Sequence, residues 1–164
     1  MMTVLSAEKD LDNLTLSFVA EFRAGVDRVW QIWEDPRQLE RWWGPPTWPA
    51  TFDRHDFVEG GSSRYHMTGP EGEIARGWWE TVTVEAPHRL EFDDGFAGDD
   101  GEPSGFLGTT RATVTLAESD GVTTMTLVST FTSREQLEEM AAMGMLEGMT
   151  GAIGQIDDLL THAA

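Results

Sequence analysis

Cysteine is absent from the 164 residues, which removes disulfides, thiolate metal ligands and a cysteine nucleophile. Basic residues are scarce: 11 Lys and Arg stand against 29 Asp and Glu, a formal charge of -18. A field of that sign repels phosphate backbones and anionic bilayers, so neither nucleic acid nor membrane is an expected partner. No apolar run approaches the roughly 18 residues that cross a bilayer. Met1 to Asp12 lacks a basic stretch followed by an apolar core, so no secretory signal is visible and a cytoplasmic protein is expected. Metal-ligand spacing is missing as well. There is no His-Glu-x-x-His and no His pair at helical distance, and Asp93-Asp94 with Asp99-Asp100 do not follow the calcium-loop pattern. No metal and no cofactor is expected.

What remains is enough for a folded chain. Hydrophobic content is 40%, ordinary for a globular protein. The length suits a single domain over 1–164, with an ordered core from about residue 13 to 161. The aromatics are unevenly spread, since all seven Trp lie between Trp30 and Trp79.

Leu14, Leu16, Phe18, Ala20 and Phe22 alternate with polar neighbours, which predicts a half-buried strand. The period then changes to helical: Val26, Val29, Trp30 and Trp33 share one face of a short helix. Asp35-Pro36 with Gln38 reads as the capped start of a second helix carrying Leu39, Trp42 and Trp43, ended by Gly44-Pro45-Pro46. Strands are predicted at Thr51–Val58, around Ser63–Met67, at Trp78–Val84, Leu90–Phe92, Thr109–Ala117 and Thr123–Thr132. The Gly- and Asp-rich stretch Asp93–Gly108 reads as a long exposed loop. Ser133, with Gln136 as its capping partner, opens one long helix to about Leu160. The order is strand, two short helices, about six strands and a terminal helix. That is an α+β fold in which an antiparallel sheet, covered on one face, uses the terminal helix as its cover.

Several local sequences resemble the START-like (SRPBCC) superfamily, in the branch named after the activator of the heat-shock-protein-90 ATPase. They are Arg28-Val29-Trp30, Trp33, Asp35-Pro36, Leu39 and Arg41-Trp42-Trp43-Gly44-Pro45, then Asp56, Gly60-Gly61, Arg64-Tyr65, Met67 and Gly69-Pro70-Glu71-Gly72. Pro87-His88-Arg89-Leu90 follows, with Met143-Gly144-Met145, Glu147-Gly148-Met149, Gln155-Ile156-Asp157 and Leu159-Leu160 near the end. The resemblance implies a helix-grip fold, a curved antiparallel sheet of about seven strands wrapping a long C-terminal helix with a cavity between them. It also implies much functional latitude, because the superfamily spans lipid carriers, hormone receptors and aromatic cyclases.

Three functions are compatible with these features. The first is binding of a small hydrophobic or aromatic molecule, as a carrier or sensor, by Trp42, Trp43, Trp48, Tyr65, Met67, Trp78, Met125, Met145 and Met149, with Asp93–Gly108 as a candidate gate. Trp78 is expected to face inward because it shares parity with Val82 and Val84. The second is a cyclase or hydrolase acting on aromatic or polyketide-like substrates, with Glu80, His55 and Tyr65 as acid–base candidates. Glu80 follows Trp78 inward by parity unless a bulge or sheet edge leaves it in water. His55 shares a face with Asp53 and Phe57, either inside or on a solvated edge. The third is a protein-interaction module of the chaperone-activating kind. In the terminal helix, Met140, Met143, Met145 and Met149 alternate with Gly144, Gly148 and Gly151, which suits an adaptable apolar wall or, equally, a core that admits large Trp rings.

Overall fold

Alternation becomes two faces first in the strand Thr15–Phe22 (β2), where Leu16, Phe18, Ala20 and Phe22 are buried and the residues between them are not. In the computed structural model, which describes residues 4–106 and 108–162, β2 is the second of eight antiparallel strands in one curved open sheet. Strand β1 is Val4–Asp10; β3 is Ala50–His55, β4 Ser62–Thr68 and β5 Ile74–Glu85. Strand β6 is Arg89–Ala97, β7 Thr110–Ser119 and β8 Val122–Thr130. The spatial order is β1-β2-β8-β7-β6-β5-β4-β3. The chain therefore leaves β2 and crosses to the far edge before it begins β3. Helix α1 (Val26–Glu34) and helix α2 (Pro36–Leu39) make that crossing. The fold is α+β and of the helix-grip type.

The crossing is held by specific contacts. Helix α1 starts at Gly25, which has no capping side chain, and Glu118 of β7 supplies the acceptor instead, 2.7 Å from the Val26 amide. Asp35 caps α2 by accepting from the Arg37 amide at 2.9 Å and the Gln38 side chain at 3.0 Å, as the sequence pattern predicts. Those hydrogen bonds, Gln38 first, hold the Asp35 carboxyl below the usual carboxylate range.

Four expectations need correction. The sheet starts before residue 13, because β1 pairs with β2 from Val4. Its Glu8, Lys9 and Asp10 give it no apolar alternation, a composition suited to an edge strand that must not recruit another chain. Asp93–Gly108 is not one loop: β6 continues to Ala97, pairing Asp93 through Ala97 with β5. The chain then turns tightly, with Ala97 bridging Pro103 and Arg64 ion-paired to Glu102 at 3.2 Å.

The terminal helix is broken into α3 (Arg134–Ala142), α4 (Met145–Ile153) and α5 (Ile156–His162). At the first break Gly144 takes a φ of +90°, a left-handed conformation that ends a helix cheaply only at glycine. At the second, the Gln155 side chain donates to the carbonyls of Trp42 and Gly44, at 3.3 and 2.8 Å, and pins the helices to the turn after α2. Finally, β5 carries a bulge between Thr81 and Thr83. Beyond it Val84 packs inward; before it Gly77, Trp79 and Thr81 do. Parity read backward from Val84 is thus inverted at Trp78. Trp79 is inside, while Trp78 and Glu80 lie on the outer face.

Candidate ligand-binding cavity

Beneath α1 and α2 the inner face of the sheet is filled with rings. Trp79 of β5 stacks on Phe92 of β6 with centroids 4.0 Å apart. Trp33 and Trp42 meet edge to face at 4.7 Å, and Trp43 and Trp79 do so at 4.9 Å. The Trp42 indole N–H donates to the Ile32 carbonyl at 3.0 Å. The buried N–H groups of Trp30, Trp33, Trp43 and Trp79 have no hydrogen-bond acceptor among the described residues. Their rings meet neighbouring aromatics edge to face or tilted, at centroid distances from 4.7 to 6.2 Å.

Toward α3 and α4 the filling stops. A cavity of about 300 Å³ opens there, between the sheet and the break at Gly144. Its floor is Trp43, Tyr65 and Met67 with the end of β6, and its roof is Met140, Met143, Met145, Met149 and Gly148. A Cβ added at Gly148 would meet nothing within 4 Å. Glycine costs a helix about 1 kcal/mol relative to alanine, so here that cost brings empty space and no closer packing. Tyr65 needs a second glycine. Its ring lies over Gly77 on the neighbouring strand, where a Cβ would fall 2.3 Å from the ring and hydroxyl.

One pole of the cavity is polar. Asp94 of β6 and Thr110 of β7 sit in the wall, and the Thr110 hydroxyl donates to the Asp94 carboxylate. Burial pushes the Asp94 carboxyl up to about 6; the Thr110 hydrogen bond opposes this and neighbouring Asp93 adds to it. Burial likewise raises the Tyr65 phenol, with Asp94 adding to the shift and the Trp43 N–H opposing it from short of hydrogen-bond geometry. Tyr65 therefore stays protonated and serves as a hydrogen-bonding hydroxyl.

Of the residues singled out from sequence, Trp43, Tyr65, Met67, Met145 and Met149 lie in the cavity wall. Trp42 and Met125 are sealed in the core away from it. Trp48 packs over Gly69, and Trp78 lies over Gly95 on the outer face. His55 does turn inward, but a bulge between Phe52 and Arg54 sends Asp53 outward, where it meets His66 at 3.1 Å. His55 binds Ser63 Oγ through Nδ1 at 2.8 Å and the Trp33 carbonyl through Nε2 at 2.9 Å. A carbonyl only accepts, so Nε2 carries the proton. Desolvation, the largest influence, lowers the His55 pKa and keeps the ring neutral. It is a tie between α1 and β4.

Asp94 is the residue that sequence reasoning missed. The signal was there: Leu90, Phe92, Asp94 and Phe96 continue one alternation, with a single carboxylate among apolar side chains. Among the described residues no three His, Asp or Glu side chains gather as a metal site, and no helix is long and apolar enough to cross a membrane.

The family model described as activator of Hsp90 ATPase homolog 1-like protein matches residues 23–161. The chain belongs to this family. As a member of the activator of Hsp90 ATPase homolog 1-like family, it falls within the START-like superfamily. A solution structure of a protein from Arthrobacter aurescens is 60% identical, covers 99% of this chain and 94% of its own, and superposes with a TM-score of 0.94. A crystal structure of a Mycobacterium smegmatis protein is 47% identical, with coverage of 98% and 99% and a TM-score of 0.89. A protein from the dynemicin biosynthetic locus shares the fold at 21% identity and a TM-score of 0.61, covering 87% of this chain and 46% of its own. No curated protein matches the sequence.

Proposed function

We propose that this family member binds a small hydrophobic or aromatic molecule between its sheet and its terminal helices, as a carrier or sensor. The observation that carries the reading is the open space itself. About 300 Å³ lies beneath a methionine wall and beside a glycine whose missing side chain nothing replaces. That volume is at the lower end of small-molecule sites, and an apolar wall with a few polar groups is their usual composition. Methionine suits such a wall because its unbranched side chain adapts to the guest. The catalytic alternative has less support from the acid–base candidates read from sequence. Glu80 faces outward and His55 has both ring nitrogens occupied, which leaves Tyr65 in the cavity.

Titration with 1-naphthalenemethanol, followed by tryptophan fluorescence and calorimetry, tests the reading. Saturable one-to-one binding is expected, weakened about tenfold or more by Gly148→Phe, which fills the space. Absence of saturable binding by this alcohol and by its amine and carboxylate counterparts alike, or affinity indifferent to Gly148→Phe, overturns it.

A further inference from the structure

The polar pole of the cavity has one sign. Asp94 keeps one carboxylate oxygen on the Thr110 hydroxyl, and the other has no hydrogen bond or ion pair among the described residues. Among the described residues the cavity wall contains no Lys, Arg or His. Its neighbour Asp93 points to the outer face and is ion-paired there with Arg111. Of the elements around Asp94, β4 presents Tyr65, whose phenol stays protonated; β5 presents Trp79, and β7 presents Thr110. The helical roof contributes methionines, glycines and an alanine. Asp94 is half-buried; among apolar side chains and with one hydroxyl for company its ionised carboxylate is incompletely solvated, and a bound cation would relieve it. The net charge of -18 adds a long-range field of the same preference.

We infer that the cavity selects a hydrophobic amine, whose ammonium group pairs with Asp94 and accepts further solvation from the Tyr65 hydroxyl while its apolar body lies against Trp43 and the methionine roof. This specifies the ligand class of the binding function proposed above and rests on it. Trp43 and Tyr65 meet nearly perpendicularly, at 88° and 6.2 Å, so an ammonium beside them also has aromatic surface within reach. Asp94 and Tyr65 are then binding residues; no bond is made or broken.

Three probes of matched shape test this: 1-naphthylmethylamine, 1-naphthalenemethanol and 1-naphthaleneacetate, titrated into the intact protein at about pH 7.5. The amine is expected to bind about tenfold or more tighter than the alcohol, with the acetate weakest. The preference should persist in about 0.3 M salt, because a desolvated pair is screened far less than a surface field. Asp94→Asn should bring the amine-to-alcohol ratio close to unity. On the wild-type protein, acidification to about pH 5 should weaken the amine selectively as Asp94 takes up its proton, a measurement that stands even where the Asn variant fails to fold. Equal affinity for amine and alcohol overturns the inference and leaves the cavity reading intact. So does a preference that salt abolishes, or one that survives both Asp94→Asn and acidification. If no probe binds, both readings fall.

Discussion

At one end of the space between sheet and helices, Trp33, Trp42, Trp79 and Phe92 are sealed from solvent; at the other, Met140, Met145 and Met149 leave about 300 Å³ open. Both ends are apolar, so hydrophobicity does not separate them. Shape does. Indoles and phenyl rings are rigid plates with two torsions each, and they lock edge to face with little lost entropy. Methionines under a broken helix have more rotamers and fewer fixed neighbours, and Gly144 and Gly148 add nothing to fill the gap. Rigid packing is concentrated at the aromatic end, and adaptable open space at the methionine end.

That contrast can be broken most forcefully at Trp79. Trp79→Ala removes a fully buried ring from its stack with Phe92 and is expected to cost about 3–5 kcal/mol in urea denaturation. Met149→Ala, at a wall that already faces space, should cost only about 1 kcal/mol. Equal losses would mean that the two ends are packed alike. Next in size is Gly77→Ala, whose methyl group collides with the Tyr65 ring. It should lower stability by about 2 kcal/mol and expel the phenol from the cavity floor, visible as a changed tyrosine environment in the near ultraviolet.

Asp94 gives the contrast a pH axis. Its folded value of about 6 lies above the unfolded value of about 3.9. Its contribution is therefore fully present below about pH 4 and is lost as pH rises through about 6. Relative to Asp94→Asn, the wild type should lose on the order of 2 kcal/mol between about pH 4 and 7, the other carboxylates cancelling in the difference. A flat difference would place Asp94 in water. The smallest effect belongs to Gly148→Ala, expected to raise stability by about 1 kcal/mol because helix propensity improves and the methyl group meets open space. A loss there would show the roof to be tighter than its geometry.

Much of this was legible along the chain. Tyr65 and Met67 could be placed on one face because β4 is regular, and Met145 and Met149 because a helical stripe survives the breaks around it. The Ser133–Gln136 and Asp35–Gln38 caps were read directly, since each closes within one turn. Trp78 and Trp79 were exchanged because a single inserted residue in β5 reverses facing, and an adjacent Trp pair looks the same in either register. The stretch around Asp94 reads as a loop because glycine and aspartate are loop formers, yet strand pairing with β5 and β7 holds it in β6. Gly144 fits a continuous helix as readily as a break until its φ is known.

The α+β class, the order of elements from β2 onward and the caps were legible in the chain alone, because periodicity and capping are set by stereochemistry within a few residues; the family was legible in its local sequence blocks. Long-range packing alone settles which tryptophans seal the core, that a lone carboxylate joins an apolar wall, and that no side chain fills the space beside it. Those features depend on bulges, on register between strands far apart in the chain, and on the volume left when rings and methionines share one interior.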